Sequence, residues 1–168
     1  PGVTTVTDVR WWMRERVRSL NLIDWFFPSV TIQRYDKEAN EIISYRNDDE
    51  VIQYGDMLWC DFGITYLRLN TDTQENAYVL RPGESEAPEF LTSALATGNR
   101  LQDIFTGNFK LKRTGNEVLS MSRAAAISEG ITPSIYTHPI GYHGHAAGTT
   151  LGMWDSQGGV PVTGDYPL

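Results

Sequence analysis

Residues 57–65 constrain the fold most, because they are apolar almost without interruption (Met-Leu-Trp-Cys-Asp-Phe-Gly-Ile-Thr). A run of this kind predicts a β-strand that is buried on both faces. Asp61 is the one carboxylate within it. Because a buried carboxylate is costly without a partner, we expect Asp61 to be paired, hydrogen-bonded or bound to a metal ion.

A second run, residues 69–80, is predicted to pair with the first as a hairpin that turns at residues 66–68. It carries Asp72, eleven residues after Asp61, and the two side chains are expected to face one cavity from neighbouring strands. Two carboxylates repel each other unless a cation lies between them, and oxygen-rich sites suit divalent metals. The spacing leaves a second interpretation open, in which Asp72 caps a turn and backbone donors satisfy Asp61.

Helices are indicated on both sides of this hairpin. Thr5 is a plausible N-cap, with Asp8 three residues later, and an apolar stripe follows to Leu20. Trp11 and Trp12 lie beside that stripe and are expected to fill core space. Further helices are predicted from Pro88 and from the capping-box pattern of residues 114–117 up to a stop at Gly130. This order of elements predicts an α+β fold with a largely antiparallel sheet.

All three histidines fall within a span of eight residues, inside the glycine-rich stretch of residues 137–148. They are His138, His143 and His145. Imidazole is a common ligand of transition metals and the usual acid or base near neutral pH, and glycines let the backbone approach a ligand closely. The cluster therefore favours a functional role over three separate core histidines.

Composition excludes several classes of protein. Of the 168 residues, 40% are hydrophobic and 21% charged, as in a globular domain. The formal charge of −7 argues against nucleic acid as a partner, and no apolar run is long enough to span a membrane. The single cysteine, Cys60, excludes an internal disulfide framework and a multi-cysteine zinc site. Since Cys60 points away from the face of Asp61, we interpret it as a core residue and not as a nucleophile.

Three segments together resemble the pita-bread metallopeptidases, the family of aminopeptidase P, prolidase, methionine aminopeptidase and creatinase. Residues 55–63 resemble the strand that supplies the family's first metal aspartate, residues 70–73 the second, and residues 144–148 its glycine-flanked histidine. The resemblance implies that Asp61 binds one ion, that His145 binds the other and that Asp72 bridges both. His143 is a rival to His145 as ligand, and His138 and His143 are candidates for catalytic contacts to substrate or oxyanion.

The chain departs from the family pattern in several places. The family completes its site with two glutamates beyond the histidine motif, and no glutamate follows His145 here. Two assisting histidines are replaced, one by Ser44 and the other by the segment Met153-Trp154-Asp155. We therefore expect residues 1–168 to be a partial catalytic domain, cut from a longer chain at both ends, lacking its C-terminal strands and inactive alone.

For the complete protein the resemblance implies a curved, mostly antiparallel sheet backed by helices and two divalent metal ions (manganese, cobalt or zinc). It implies an aminopeptidase or dipeptidase that cleaves short peptides beside a proline at the second position with metal-activated water. A homodimer and a cytoplasmic location are further expectations. Two alternatives stay open: a metal-free hydrolase similar to creatinase, and an inactive module that binds peptides or proteins on the same fold.

Overall fold

The computed structural model describes residues 1–138, 140 and 148–168. The chain forms two compact units, residues 1–87 and 88–168. The first unit contains helix α1 and seven strands, and the second contains helices α2 and α3. The elements of the first unit are α1 (Val6–Ser19), β1 (Ile23–Asp24), β2 (Ser29–Asp36), β3 (Glu41–Tyr45), β4 (Met57–Phe62), β5 (Ile64–Tyr66), β6 (Leu69–Asn70) and β7 (Thr73–Tyr78).

Helix α1 begins after the predicted N-cap Thr5, which the structure shows to form a reciprocal capping box with Asp8. The backbone N–H of Asp8 donates to Thr5 Oγ1 at 3.1 Å, and the backbone N–H of Thr5 donates to Asp8 Oδ2 at 2.8 Å. The hydrogen bond from the Thr5 backbone lowers the pKa of Asp8 below its usual value. The first unit's core forms where this helix meets β2, around Val6, Val30, Ile32 and Ile52.

The two adjacent tryptophans do not fill that core, so this prediction was wrong. Trp12 is 66% exposed and Trp11 is 47% exposed. They follow Val6 by five and six residues, which at about 100° per residue turns them away from the buried stripe. Trp11 instead packs edge-on against Phe27, with ring centroids 5.3 Å apart.

Every strand pairing in the first unit is antiparallel, as predicted, but the strands form two sheets. The larger has the order β3-β2-β4-β7, and the smaller has the order β1-β5-β6. The hairpin turn at residues 66–68 joins β5 and β6, with Leu67 and Arg68 at positive φ. The long strand over residues 57–65 therefore does not exist as one element: β4 pairs with β7, and β5 pairs with β6.

Gly63 separates these two sheets. A Cβ atom at this position would overlap the indole nitrogen of Trp25 and the carbonyl oxygen of Thr71, so only glycine fits. The Trp25 indole N–H donates to that same carbonyl at 2.6 Å. The residues of β4 are half-buried, not buried on both faces as predicted.

An ion pair fastens the start of β4. Asp56 is fully buried and accepts two hydrogen bonds from the Arg34 guanidinium, at 2.7 and 2.8 Å. The backbone N–H of Gln53 adds a third, at 2.7 Å, and Arg34 also reaches Glu50 at 2.8 Å. The hydrogen bonds that Arg34 donates to Asp56 raise the pKa of Arg34. The pair joins β2 to the entry of β4 at the end remote from Asp61.

The second unit is built on α2 (Glu89–Gly107) and α3 (Gly115–Ser128), followed by a 3-10 turn at Thr163–Asp165. Pro88 stands at the start of α2 as predicted. Thr114 and Glu117 form the predicted capping box of α3, and Gly130 lies just past its end at positive φ. Among the described residues of this unit, the buried apolar ones are Ile104, Val118, Leu119, Ala126, Ile135 and Leu151. Over the described part of the chain, no helix is both long and apolar enough to cross a membrane.

Candidate metal centre

The pairing of β4 with β7 sets the geometry around Asp61. The Cα of Asp61 lies opposite that of Gln74 in the antiparallel register. Asp72 precedes β7 and lies two residues before Gln74, so the two have the same parity along the chain. Directly opposed residues of neighbouring strands share a face of the sheet. The register therefore brings Asp61, Gln74 and Asp72 to one surface.

One amide group bridges the two aspartates. The Gln74 side-chain nitrogen Nε2 donates to Asp61 Oδ1 at 3.0 Å and to Asp72 Oδ1 at 2.6 Å. One oxygen of each carboxylate therefore lies within hydrogen-bond distance of a single atom. The structure brings the two predicted carboxylates together although they belong to different segments of the sheet.

The segment before Asp72 is held by three hydrogen bonds to Thr71. The backbone N–H of Thr71 donates to the Ile64 carbonyl at 2.9 Å, and the Ile64 N–H donates to Thr71 Oγ1 at 3.1 Å. The Thr71 carbonyl accepts the hydrogen bond from Trp25. Asp72 is thus anchored on one side by Thr71 and on the other by the first residue of β7.

The two aspartates suit a divalent cation. Both are half-buried, and Gln74 is exposed, so an ion from solvent has access to the oxygens that the amide bridges. Carboxylate oxygens are ligands for hard and borderline divalent metals. A cation placed near the amide nitrogen would meet the same two oxygens, so the residues present fit part of a metal site. Within the described ranges, no group of three or more His, Cys, Asp or Glu side chains is placed to hold a metal ion.

Cys60 lies next to Asp61 but does not belong to this surface. It packs against the core of the first unit, among residues that include Val30 and Ile32. Burial raises the pKa of its thiol, which keeps it protonated near neutral pH. A protonated thiol that faces the core agrees with its interpretation as a core residue.

Only one of the three predicted histidines lies among the described residues. His138 lies in the second unit, where its ring centroid is 5.6 Å from that of Tyr136. The neighbouring Thr137 exchanges two backbone hydrogen bonds with Leu151, at 3.2 and 3.3 Å. His143 and His145 lie outside the described residues, so their roles as ligand or catalytic residue stay predictions.

A second side-chain amide supports the segment that carries His138. Gln157 Oε1 accepts hydrogen bonds from the Ile135 N–H and from Arg123, both at 2.8 Å. Its Nε2 donates to the carbonyls of Ile135 and Met153, both at 2.7 Å. Two of the four contacts reach Ile135, in the segment before His138, and the other two reach Arg123 of α3 and Met153.

Sequence reasoning missed Gln74 as a residue of the site. The sequence did contain a signal, because Asn70, Asp72 and Gln74 occupy every second position along the second run. Parity alone also selects Asn70, which is wrong, since Asn70 lies in β6 and its side chain accepts a hydrogen bond from Thr65 at 2.8 Å. The break at Gly63 separates Asn70 from the other two, and only the folded chain reveals it.

Comparisons with known proteins agree with this architecture. The chain is similar in structure to an X-Pro aminopeptidase from Thermotoga maritima MSB8, with a TM-score of 0.66 and 17% identity over 98% of this chain and 45% of the other. It is also similar to a dipeptidase from Pyrococcus horikoshii OT3, with a TM-score of 0.59 and 17% identity over 92% of this chain and 41% of the other. The chain thus spans less than half the length of either neighbour, and the likeness concerns the fold.

A search of curated proteins found no match to the chain. The model of metallopeptidase family M24, in contrast, matches residues 1–159. That range includes both aspartates, the histidine-rich stretch and nearly all of both units. The chain therefore belongs to metallopeptidase family M24 and has the pita-bread fold of its structural neighbours.

Proposed function

We propose that the protein is a dinuclear, metal-dependent aminopeptidase or dipeptidase that cleaves Xaa-Pro peptide bonds with an activated water molecule. Membership of a metallopeptidase family supports the reaction class, and the names of the two structural neighbours support the substrate class. The observation that carries the proposal is the meeting of Asp61 and Asp72 at one amide nitrogen, 3.0 and 2.6 Å away.

In this proposal Asp61 and Asp72 supply oxygen ligands, and His145 supplies a nitrogen ligand, with His143 as the alternative. Two divalent ions, manganese, cobalt or zinc, would lower the pKa of a water molecule and polarise the scissile carbonyl. Asp61 is held by the pairing of β4 with β2 and β7, and Thr71 anchors the residue beside it in sequence, Asp72. This rigid backbone lets the two carboxylates keep their separation during a reaction.

The remaining roles concern the peptide. His138 and His143 are proposed to hold the substrate or to stabilise charge that develops on the carbonyl oxygen. For His138 the support is its fixed backbone, since Thr137 pairs with Leu151 and Gln157 bonds both backbone groups of Ile135. A side chain on a well-supported segment loses less freedom when it orients a substrate.

The bridging amide also favours a second candidate function. Because Gln74 donates a hydrogen bond to each aspartate, the pair gains polar partners without a cation. A metal-free hydrolase similar to creatinase, or a module that binds peptides without cleaving them, would use such a site. Metal content separates these candidates from the peptidase.

The deciding experiment is an assay of the full-length protein with manganese or cobalt on short peptides that have proline at the second position. We expect metal-dependent release of the first residue, abolished in Asp72→Ala. Glu75→Ala is the matched control, because Glu75 is exposed on β7, the strand that follows Asp72, has the opposite parity and should keep activity. Bound metal without cleavage would redirect the search to other peptides, and absence of bound metal would favour the second candidate.

A further inference from the structure

The Gln74 amide lies between the two aspartates, within hydrogen-bond distance of one oxygen of each. The two hydrogens on its Nε2 atom carry partial positive charge, and Nε2 lies 3.0 Å from one carboxylate oxygen and 2.6 Å from the other. The shorter distance lies just below the usual range of N–H···O hydrogen bonds, and a charged acceptor shortens such bonds. The amide thus contacts one oxygen of each carboxylate through its N–H groups, as a shared metal ion would through its charge.

The strand pairing gives this contact a fixed position. The Cα atoms of Gln74 and Asp61 are direct partners in the ladder between β4 and β7, so the side chain emerges beside the carboxylate. The side chain itself is exposed, and its removal takes no apolar contact from the core. The backbone ladder already holds the two strands, so the amide is not needed to pair them.

We propose that Gln74 is a built-in placeholder for the metal ion, and this inference rests on the proposed metal-dependent function. In the metal-free protein its amide draws Asp61 and Asp72 together and offsets their repulsion. Metal binding displaces the amide into solvent, where its lost hydrogen bonds are replaced by water. The affinity for the first ion is therefore lowered by the free energy of two charge-assisted hydrogen bonds, and Gln74 tunes how readily the site exchanges metal.

The test compares three variants with the unsubstituted full-length protein by calorimetric titration with manganese chloride, without any peptide. Gln74→Leu keeps the size of the side chain and removes both donors, so we expect manganese to bind on the order of tenfold more tightly. Gln74→Glu replaces the donor by a third carboxylate, so we expect tighter binding still. Asn76→Leu is the matched control, because it removes an exposed amide of the same parity two residues along β7 and should leave the affinity unchanged.

A second readout follows the amide directly. In nitrogen-15 spectra, the side-chain NH2 signals of Gln74 are assigned by their loss in Gln74→Leu. We expect them to be shifted in the metal-free protein by their bonds to carboxylates, and to move to the position of a solvated amide when zinc is added. Signals that stay unchanged while zinc binds would contradict displacement.

The outcomes separate this inference from the proposed function. If Gln74→Leu binds manganese as the unsubstituted protein does, or more weakly, the placeholder role is wrong, while metal binding and the peptidase proposal stand. If none of the proteins binds metal, both proposals fall. Binding that appears only when the amide is removed would give the placeholder its strongest support.

Discussion

Strand β4 has a carboxylate near each end, and the surroundings of the two carboxylates are opposite in kind. At its entry, Asp56 is fully buried and meets a guanidinium through two hydrogen bonds. At its exit, Asp61 is half-buried and shares a neutral amide with a second carboxylate, Asp72. A charge buried with a cation of the protein is committed to structure, whereas carboxylates that converge near solvent can accept a cation from outside. Asp56 directly precedes β4 and Asp61 lies within it, and what surrounds each carboxylate decides its role.

The largest expected effect is on stability, at the entry of the strand. Asp56→Ala leaves the Arg34 guanidinium without its main partner and the Gln53 N–H without its acceptor, so we expect a loss of about 3 kcal/mol or more in the free energy of unfolding. Urea denaturation measures it. Glu15→Ala, which breaks an exposed ion pair with Arg18, is the control and should change little. A loss at Asp56 as small as the control's would erase the contrast.

At the exit of the strand the effect should move from stability to binding. Asp61→Asn and Asp72→Asn keep size and hydrogen-bonding capacity while removing charge, so we expect unfolding to change by less than about 1 kcal/mol. Manganese binding should weaken by about 100-fold or more, because each variant removes a proposed ligand. Calorimetry and urea denaturation on the same samples measure both. Strong destabilisation with unchanged metal affinity would assign Asp61 to the class of Asp56.

Substitution of Gly63, which separates the two sheets, should have an intermediate effect on stability. Gly63→Ala forces a Cβ into Trp25 and the Thr71 carbonyl, so we expect a loss of about 2 kcal/mol together with weaker metal binding, since Thr71 precedes Asp72. Gly98→Ala is the opposite-sign control, because its Cβ meets open space on α2 and alanine favours a helix. Equal effects of the two substitutions would show that Gly63 does not position Asp72.

The smallest effect is a pH dependence from Cys60, which lies on β4 between Asp56 and Asp61 in sequence. Burial raises the pKa of its folded thiol above the ordinary value of 9.0. The unfolded thiol therefore ionises first, and the stabilisation is complete below that value and is lost as pH rises towards the folded pKa. We measure the unfolding free energies of the unsubstituted protein and of Cys60→Ala from about pH 8 to about pH 10. The two curves should run parallel below the ordinary thiol pKa, and above it the curve of the unsubstituted protein should fall more steeply with pH. Parallel curves throughout would place the thiol in contact with water.

The local elements of the fold were readable from the sequence. The N-cap at Thr5 and the capping box at Thr114 were predicted because their hydrogen bonds span only three residues. Trp11 and Trp12 were mistaken for core residues because local periodicity says which residues share a face but not how wide the covering sheet is. The same limit led to one long strand over residues 57–65, where the structure has two strands in two sheets.

The sequence by itself determined the chemistry of the candidate site: the aspartates at their spacing of eleven residues, the histidines near the glycines, and the family to which these motifs point. Only the tertiary structure decided that Gly63 divides the apolar run, that Gln74 stands opposite Asp61 and that its amide reaches Asp72. Residue types and short spacings follow from local chemistry. A strand register and a steric conflict at a glycine depend on atoms that are distant in sequence, and these contacts exist only once the chain has folded.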